Sequence, residues 1–520
     1  MRKPPENKGV CGIIHAMNAA IELPKSLSES HAVIEAAYEE IAQLKNQYAN
    51  LLEQIKLAKL RQYAPKSESN IDQLNLFDES EHLTEEASDE MVSEEVETIS
   101  YQRKKPSRKP LPKDLPREEI IHDVTPEEKQ CTCGCEKKKI GEEVSEQLEV
   151  IPASIKVVAH IRPKYACNRC DENVVIAPMP ELFLPKHMAS PSLVADILIN
   201  KFENHLPLYR QEQIWKRLNI DIPRNSMSNW IRKAYETCLP LKEVFIKVLL
   251  STGYMQVDET PVQVLQEPGK KNTSKSYIWV YRSMRPDKML TLYDYQPTRG
   301  SQWPEHMLSD FKGYLQTDGY KGYDWAKEKE DIIQLGCMAH ARRPFAELVK
   351  IAKKTGKSHQ ALAYIKKLYA IEKQARAANL SYQQRFELRL EKASPIIEEL
   401  FVWVTKSLKT AVPQSKLAQG LNYINDRKEF LSNYLLNGML EIDNNGVENK
   451  IRPFAIGRKN WMFAGSPNGA EASSFFFSLI NSATDNGLNA FEYLMHVFNN
   501  IKQCRSEEDL IALLPHQCKL

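Results

Sequence analysis

The run "YMQVDETPVQVL", residues 254–265, alternates apolar and polar positions with a period of two and so predicts a β-strand with one buried face. Asp258 is the exception within it. A carboxylate in the middle of such a strand is costly to bury unless something neutralises it. "SYIWVYRS" (276–283) and "KMLTLYDYQP" (288–297) keep the same period, so three successive strands are expected. A helical piece near 300–310 follows. "GYLQTDGY" (313–320) then predicts a fourth strand and, after a short helix, "DIIQLG" (331–336) a fifth, running into the helix "AHARRPFAELVKIAKK".

Three strands, helix, strand, helix, strand, helix is the element order of a ribonuclease-H-like α/β core. In that arrangement the first and fourth strands are neighbours, so Asp258 and Asp318 are expected to face each other. Two close carboxylates repel, and a divalent cation removes the repulsion. Oxygen ligands of this kind suit Mg²⁺ or Mn²⁺. A third carboxylate stands in "IDNNGVENKIRPFAIGRKNW" (442–461), where Glu448 lies just upstream of Lys450, Arg452, Arg458 and Lys459. A carboxylate repels phosphate and a basic cluster collects it. The combination reads as a metal ligand, Glu448, beside four residues that neutralise DNA phosphates. Asp258, Asp318 and Glu448 form the candidate catalytic set. Metal ions in such a set activate a water or a 3′-hydroxyl and stabilise the leaving oxygen, which serves both phosphodiester hydrolysis and strand transfer. "GCMAHARRPF" adds Cys337 and His340 in a C-x-x-H pair. With two ligands in view it reads as packing and hydrogen bonding that shape the site. Arg342 and Arg343 are candidate DNA contacts, and Trp461 reads as a core residue.

Upstream, residues 190–250 are helical in pattern. "LPLYRQEQIWKRLNIDIPRNSMSNWIRKAYET" has the spacing of a helix, a short turn and a second helix starting near Asn225. Arg224, Asn225, Ser228, Asn229 and Arg232 then line the second helix's outer face as candidate DNA contacts. Before them, Cys131, Cys133 and Cys135 are separated from Cys167 and Cys170 by alternating, strand-like sequence. Two short-spaced cysteine pairs joined by a hairpin suit a tetrahedral structural Zn²⁺. Cys131, Cys133, Cys167 and Cys170 are the expected ligands, with Cys135 as alternate. Residues 66–100 hold twelve Asp or Glu and one Lys, an acidic tether, and the basic, proline-rich "RKKPSRKPLPKDLPR" follows. Residues 31–63 read as one helix. Ile34, Ile41, Tyr48 and Ile55 recur every seven residues, with Ala37, Leu44, Leu51 and Ala58 three residues after each, a short coiled-coil seam.

The 520 residues are too many for one core, and 42% hydrophobic with 27% charged residues fits a globular protein. The net charge of +2 does not by itself announce a nucleic-acid binder, so the local clusters carry that reading. No apolar run approaches the roughly 20 residues of a membrane span. The first residues make only an interrupted signal-like pattern, so the chain is read as intracellular, with Met17 a second candidate start. Tightly clustered cysteines in such a chain point to metal rather than disulfides.

Taken together, "QVDETPVQVL", "LQTDGYKGY", "GCMAHARRPF" and "IDNNGVENKIRPFAIGRKNWMFAGSPNGAEASS" resemble bacterial insertion-sequence transposases of the DDE class, in the family numbered sixty-six. "RQYAPKSES", "LFDE", "RKPLPKDLPRE", "IGEEVSEQL", "RPKYAC" and "HLPLYRQ" extend the resemblance to about residue 31. It implies that Asp258, Asp318 and Glu448 match the family's catalytic triad, that the cysteine region is a zinc-binding domain, and that the helices between Asp318 and Glu448 are an insertion in the nuclease-like core. It also implies DNA partners (terminal inverted repeats and target DNA), accessory proteins encoded by the same element, and a cytoplasmic, nucleoid-associated chain. With the heptad seam, paired ends imply a homodimer or larger assembly. The compact C-x-C-x-C knuckle departs from the C-x-x-C of many relatives and leaves the zinc ligands open. The expected architecture is multidomain α+β. It comprises a coiled-coil helix (31–64), an acidic then basic linker (65–125), a zinc-binding β region (126–180) and a helical DNA-binding region (181–250). A ribonuclease-H-like α/β catalytic core follows in two parts (251–356 and 441–482), with a helical insertion (357–440) and a helical tail (483–520).

Overall fold

The computed structural model describes residues 26–63, 155–165, 175–352 and 355–520. The expected linker and Cys131, Cys133, Cys135, Cys167 and Cys170 lie outside the described residues. Those described fall into two units, one holding 26–63 with 181–520 and the other 155–165 with 175–180. The second unit contains a short antiparallel ribbon, Lys164–Tyr165 against Val175–Ile176.

The larger unit contains strands β1 (Tyr254–Val264), β2 (Lys275–Ser283), β3 (Thr291–Gln296), β4 (Gly313–Gln316), β5 (Ile332–Leu335) and β6 (Phe463–Ala464). They form one mixed sheet in the order β3-β2-β1-β4-β5, with β6 beside the far half of β1. The first three pair antiparallel, whereas β4, β5 and β6 join parallel to their neighbours. The helices used below are α1 (Leu27–Tyr63), α2 (Pro191–Phe202), α3 (Leu208–Arg217), α4 (Arg224–Thr237), α5 (Leu239–Leu250), α6 (Gln302–Met307), α7 (Met338–Ile351), α8 (Lys357–Ala377), α9 (Tyr382–Leu388), α10 (Ser394–Leu408), α11 (Lys416–Asp426), α12 (Lys428–Ser432), α13 (Asn445–Trp461), α14 (Pro467–Asp485) and α15 (Ala490–Asn500). The β1 strand is central, and α13 packs over β1 and β2 rather than over the sheet edge.

The edge strand β3 would leave backbone N–H groups bare. Helix α14 covers them with serines: Ser478 Oγ accepts from Tyr293 N at 2.8 Å and Ser482 Oγ from Thr291 N at 2.9 Å. The spacing is what makes this work. Four helical residues rise about 6 Å and two strand residues about 6.8 Å, so both serines meet alternate amides. Apolar residues of the same helix, Phe475, Phe476, Phe477 and Leu479, are buried in a hydrophobic cluster that runs from Phe183 to Leu514. That cluster contains α2, α4, α5, the sheet and α15. The expected domain limits at 250/251 and 482/483 therefore mark changes of sequence pattern inside a shared core, and α14 itself crosses the second of them.

A second cluster centres on the helices of 357–440, joined by Tyr254, Leu335, Met338 and Ile442 from the sheet side. Its polar heart is Arg389, which is fully buried where the chain widens to a π turn over Arg389–Ala393. Its guanidinium donates to both oxygens of Glu372 (2.7 and 2.9 Å) and to the carbonyls of Tyr434, Asn437 and Leu440. Arg385 bridges Glu372 to both oxygens of Glu441. Burial alone would raise the Glu372 carboxyl; the two arginines outweigh it and hold it below its usual range.

Helix α1 is not isolated. Asn50 Nδ2 donates to Pro413 O at 3.0 Å, Glu53 accepts from Lys416 N at 2.8 Å, and Leu57 is buried. These three share one helical face. The heptad seam of Ile34, Ile41, Leu44, Tyr48, Leu51 and Ile55 lies on the other and is exposed. Nothing near it in sequence offers a packing partner; two of the residues it meets, Pro413 and Lys416, stand 363 residues downstream of theirs.

Arg389→Met removes one member of a buried ion cluster and orphans three carbonyls. A loss of about 3–5 kcal/mol is expected, read by urea unfolding of the full chain; a loss under about 1 kcal/mol would show that the cluster does not hold the insertion together.

Candidate active site

Side chains alternate along a strand, so Gln256 and Asp258 share one face of β1 and Glu259 takes the other. Between the parallel strands β1 and β4, Gln256 pairs with Gln316. Asp258 and Asp318, each two residues further on, therefore leave neighbouring strands side by side, with a strand spacing of about 4.8 Å. The β4 strand stops at Gln316, so Asp318 stands in the turn beyond it. There Asp318 Oδ1 accepts from Tyr320 N at 2.8 Å, and Gly319 adopts a φ of 85° that suits glycine.

Glu259 is compensated on its own side of the sheet. Arg299 Nε donates to it at 2.6 Å and the Tyr323 hydroxyl at 2.8 Å. Among the described residues, no such cation acts on Asp258. Its carboxyl is pushed well above the usual range by burial and then by the charges of Asp318, Glu259 and Glu448. Glu448, buried in the first turn of α13, thus reaches the same field as the two aspartates. Three carboxylates offering oxygen donors fit a hard divalent cation.

Two glutamines absent from the sequence reading set this convergence. Gln256 and Gln316 are fully buried. Gln256 Nε2 donates to Gln316 Oε1 (2.7 Å) and to Asp443 O (2.9 Å), and its Oε1 accepts from Val447 N (2.9 Å). Gln316 Nε2 donates to Gly336 O (3.2 Å) and Glu441 O (2.8 Å), while its Oε1 also accepts from the Tyr254 hydroxyl (2.7 Å). Both strands are thereby joined to the segment that opens α13. Gly446 is needed here, because a β-carbon would collide with Gln256 Oε1. The available signal was the repeated Q-x-D of "QVD" and "QTD". The insertion adds a second hold: the Tyr423 hydroxyl donates to Asp318 O at 2.8 Å and Arg427 Nη2 to Gly319 O at 2.6 Å.

The C-x-x-H pair gains a third neighbour. Cys337 caps α7, His340 is in its first turn, and the ligand atoms of Cys337, His340 and Glu448 all lie within 4.8 Å of one another. His340 Nδ1 is 3.5 Å from Glu448 Oε1. Burial, aided by the charge of Arg343, lowers the His340 pKa to about 3, so the imidazole is neutral.

The basic residues divide. Lys450 forms an ion pair with Asp485, and Arg458 donates to Thr260 Oγ1 (3.0 Å) and Pro261 O. These contacts turn the two side chains toward β1 and α14. Lys459 is exposed and Arg452 half-buried on the same helix, and Arg342 and Arg343 are half-buried beside His340. Helices α3 and α4 follow each other across a short turn. Arg224 and Asn225 are exposed at the start of α4; Asn229 Oδ1 accepts from Arg232 at 2.7 Å, and Arg232 also pairs with Glu236. Trp461 packs edge-on against Phe454, with ring centroids 5.2 Å apart.

Comparison with known proteins agrees in class. The family described as "Transposase IS66 family" matches residues 186–472, "zinc-finger binding domain of transposase IS66" matches 128–171, and "Transposase C of IS166 homeodomain" matches 50–120. Similar curated chains come from Sinorhizobium fredii (strain NBRC 101917 / NGR234). "Uncharacterized protein y4qI" is 31% identical over 530 residues, covering 97% of each chain. "Uncharacterized protein y4jD" is 33% identical over 405 residues, 75% of this chain and 78% of the relative. "Uncharacterized protein y4hP" is 30% identical over 499 residues, 90% and 88%. No solved structure matches. These matches define a transposase with zinc-finger and helical modules ahead of its main domain. The chain belongs to the IS66 transposase family.

Gln256→Leu removes the acceptor for Val447 N. Hydrogen exchange at that amide should quicken roughly tenfold, about 1.4 kcal/mol, while the far ends of β1 and β2 stay protected; unchanged exchange at Val447 would show that the glutamine does not hold α13.

Proposed function

We propose that this chain is a DDE-type DNA transposase that binds the ends of an insertion element and carries out metal-dependent cleavage and strand transfer there. The observation that carries the reading is the register of β1 on β4, which brings Asp258 beside Asp318, with Glu448 buried in the first turn of α13, within a chain of a transposase family. The sheet order β3-β2-β1-β4-β5, with three antiparallel strands followed by parallel ones, supports a ribonuclease-H-like core.

Asp258, Asp318 and Glu448 hold Mg²⁺ or Mn²⁺ in this reading. Bound, the ions supply Lewis-acid activation of the attacking and leaving oxygens. The chain's own residues do the rest. The Gln256–Gln316 pair keeps the three carboxylates in register, and Arg299 with Tyr323 keeps Glu259 out of the set. Arg452, Lys459, Arg342 and Arg343 serve the phosphates near the site, and Arg224, Asn225, Asn229 and Arg232 on α4 serve the element ends. The pair of Arg232 with Glu236 is solvent-exposed and so is worth too little to keep Arg232 from DNA. Cys131, Cys133, Cys167 and Cys170, with Cys135 as alternate, hold a structural Zn²⁺; the zinc-finger match over 128–171 supports this. The exposed seam of α1 pairs two copies, and accessory proteins of the same element complete the assembly in the cytoplasm, at the nucleoid.

Asp258→Asn, Asp318→Asn or Glu448→Gln should each abolish Mg²⁺-dependent cleavage of labelled element ends while a gel shift still reports binding. Joined products from the wild type support strand transfer, whereas nicks alone would reduce the chain to a nuclease. Ile41→Asp combined with Leu44→Asp should lower the solution mass from dimer or larger to monomer by light scattering, since the changes lie on the face of α1 away from Leu57; an unchanged mass would place the interface elsewhere.

A further inference from the structure

The C-x-x-H pair after β5 remains unused by the proposed chemistry. Cys337 and His340 are three residues apart at the start of α7, which puts both on one face of the helix. Glu448 enters from the first turn of α13 and completes a group whose ligand atoms lie within 4.8 Å of one another. The donors are one sulfur, one imidazole nitrogen and one carboxylate oxygen. That set differs in kind from the all-oxygen set of Asp258, Asp318 and Glu448. Mixed sulfur and nitrogen donors favour zinc-like cations, and hard Mg²⁺ does not compete for them.

Three details favour a cation here. His340 Nδ1 is buried, makes no hydrogen bond among the described residues, and lies 3.5 Å from Glu448 Oε1. Cys337 Sγ already accepts a backbone hydrogen bond, from Asn444 N at 3.2 Å, of the kind that steadies a metal-bound thiolate. Finally, Cys337 is the N-cap of α7 and Glu448 stands in the first turn of α13, so both sit at helix N-termini, where a ligand's negative charge is favoured.

We infer that Cys337, His340 and Glu448 form a second cation site, selective for a thiophilic divalent ion such as Zn²⁺ and distinct from the zinc-finger cysteines. On binding, the thiol proton of Cys337 is released to solvent and the thiolate becomes the ligand. A cation held here ties α7 to α13 and competes with the catalytic set for Glu448. That competition rests on the proposed function, but the binding does not.

The test is a metal count on the full-length chain. Wild type, Cys337→Ser, His340→Gln and Asp258→Asn, each checked for folding by circular dichroism, are equilibrated with Zn²⁺ in excess Mg²⁺, and bound zinc is measured per chain. Wild type and Asp258→Asn should hold one equivalent more than Cys337→Ser and His340→Gln. Equal counts in all four folded proteins would overturn the site. Loss of the extra equivalent in Asp258→Asn would overturn it too, by assigning the ion to the carboxylate set. Two independent ligand variants keep the test decisive if one of them fails to fold. The count does not depend on cleavage, so a chain that never cuts DNA can still pass, and a working transposase can still fail.

Discussion

Mutual repulsion among carboxylates is the constraint around which this molecule is organised. Asp258 comes from a strand, Asp318 from the turn after its neighbour and Glu448 from a helix, and the charges of Asp318 and Glu448 raise the cost of ionising Asp258. Left to themselves, such groups would rotate apart into solvent. Within the sheet they are positioned by neutral groups. Gln256 and Gln316 spend their hydrogen-bonding capacity on each other and on the backbone that leads into α13. Neutral amides do this without adding a charge beside the carboxylates. Arginine in the same place would pair with a carboxylate and weaken the site.

The helical insertion extends the same hold. Its Tyr423 and Arg427 grip the turn that carries Asp318, and Arg385 and Arg389 grip the segment that leads to Glu448. The buried Glu372 that organises those arginines has no part in the site's chemistry. Its work is to make residues 437–441 rigid, so that the first turn of α13 has a defined start. A large insertion between the second and third carboxylates thus becomes the means of fixing both.

Much of this was legible in the chain. Period-two alternation marked the strands to within a few residues, and their order placed Asp258 beside Asp318. The helix-turn-helix spacing near Asn225 and the long helical stretch after residue 357 were also visible. Other features were hidden for physical reasons. A glutamine in a buried strand looks like an ordinary surface residue until its partner strand is known, so Gln256 and Gln316 were passed over. The contacts of Lys450 with Asp485 and of Arg458 with Thr260 were hidden, because a basic cluster in sequence does not say which face of a proline-containing helix meets the sheet. The C-x-x-H pair looked two-liganded because Glu448 is more than a hundred residues away. The serines of α14 acquire meaning only beside the edge strand they cap.

The most direct measurement of the central claim is Mn²⁺ binding by the full-length protein, followed by the loss of the free-ion signal in electron paramagnetic resonance. Wild type should take up Mn²⁺ at a site that disappears when any one of Asp258, Asp318 or Glu448 is made neutral, with the fold intact. A single neutralised variant that binds the ion as wild type does would mean that its carboxylate does not belong to the set.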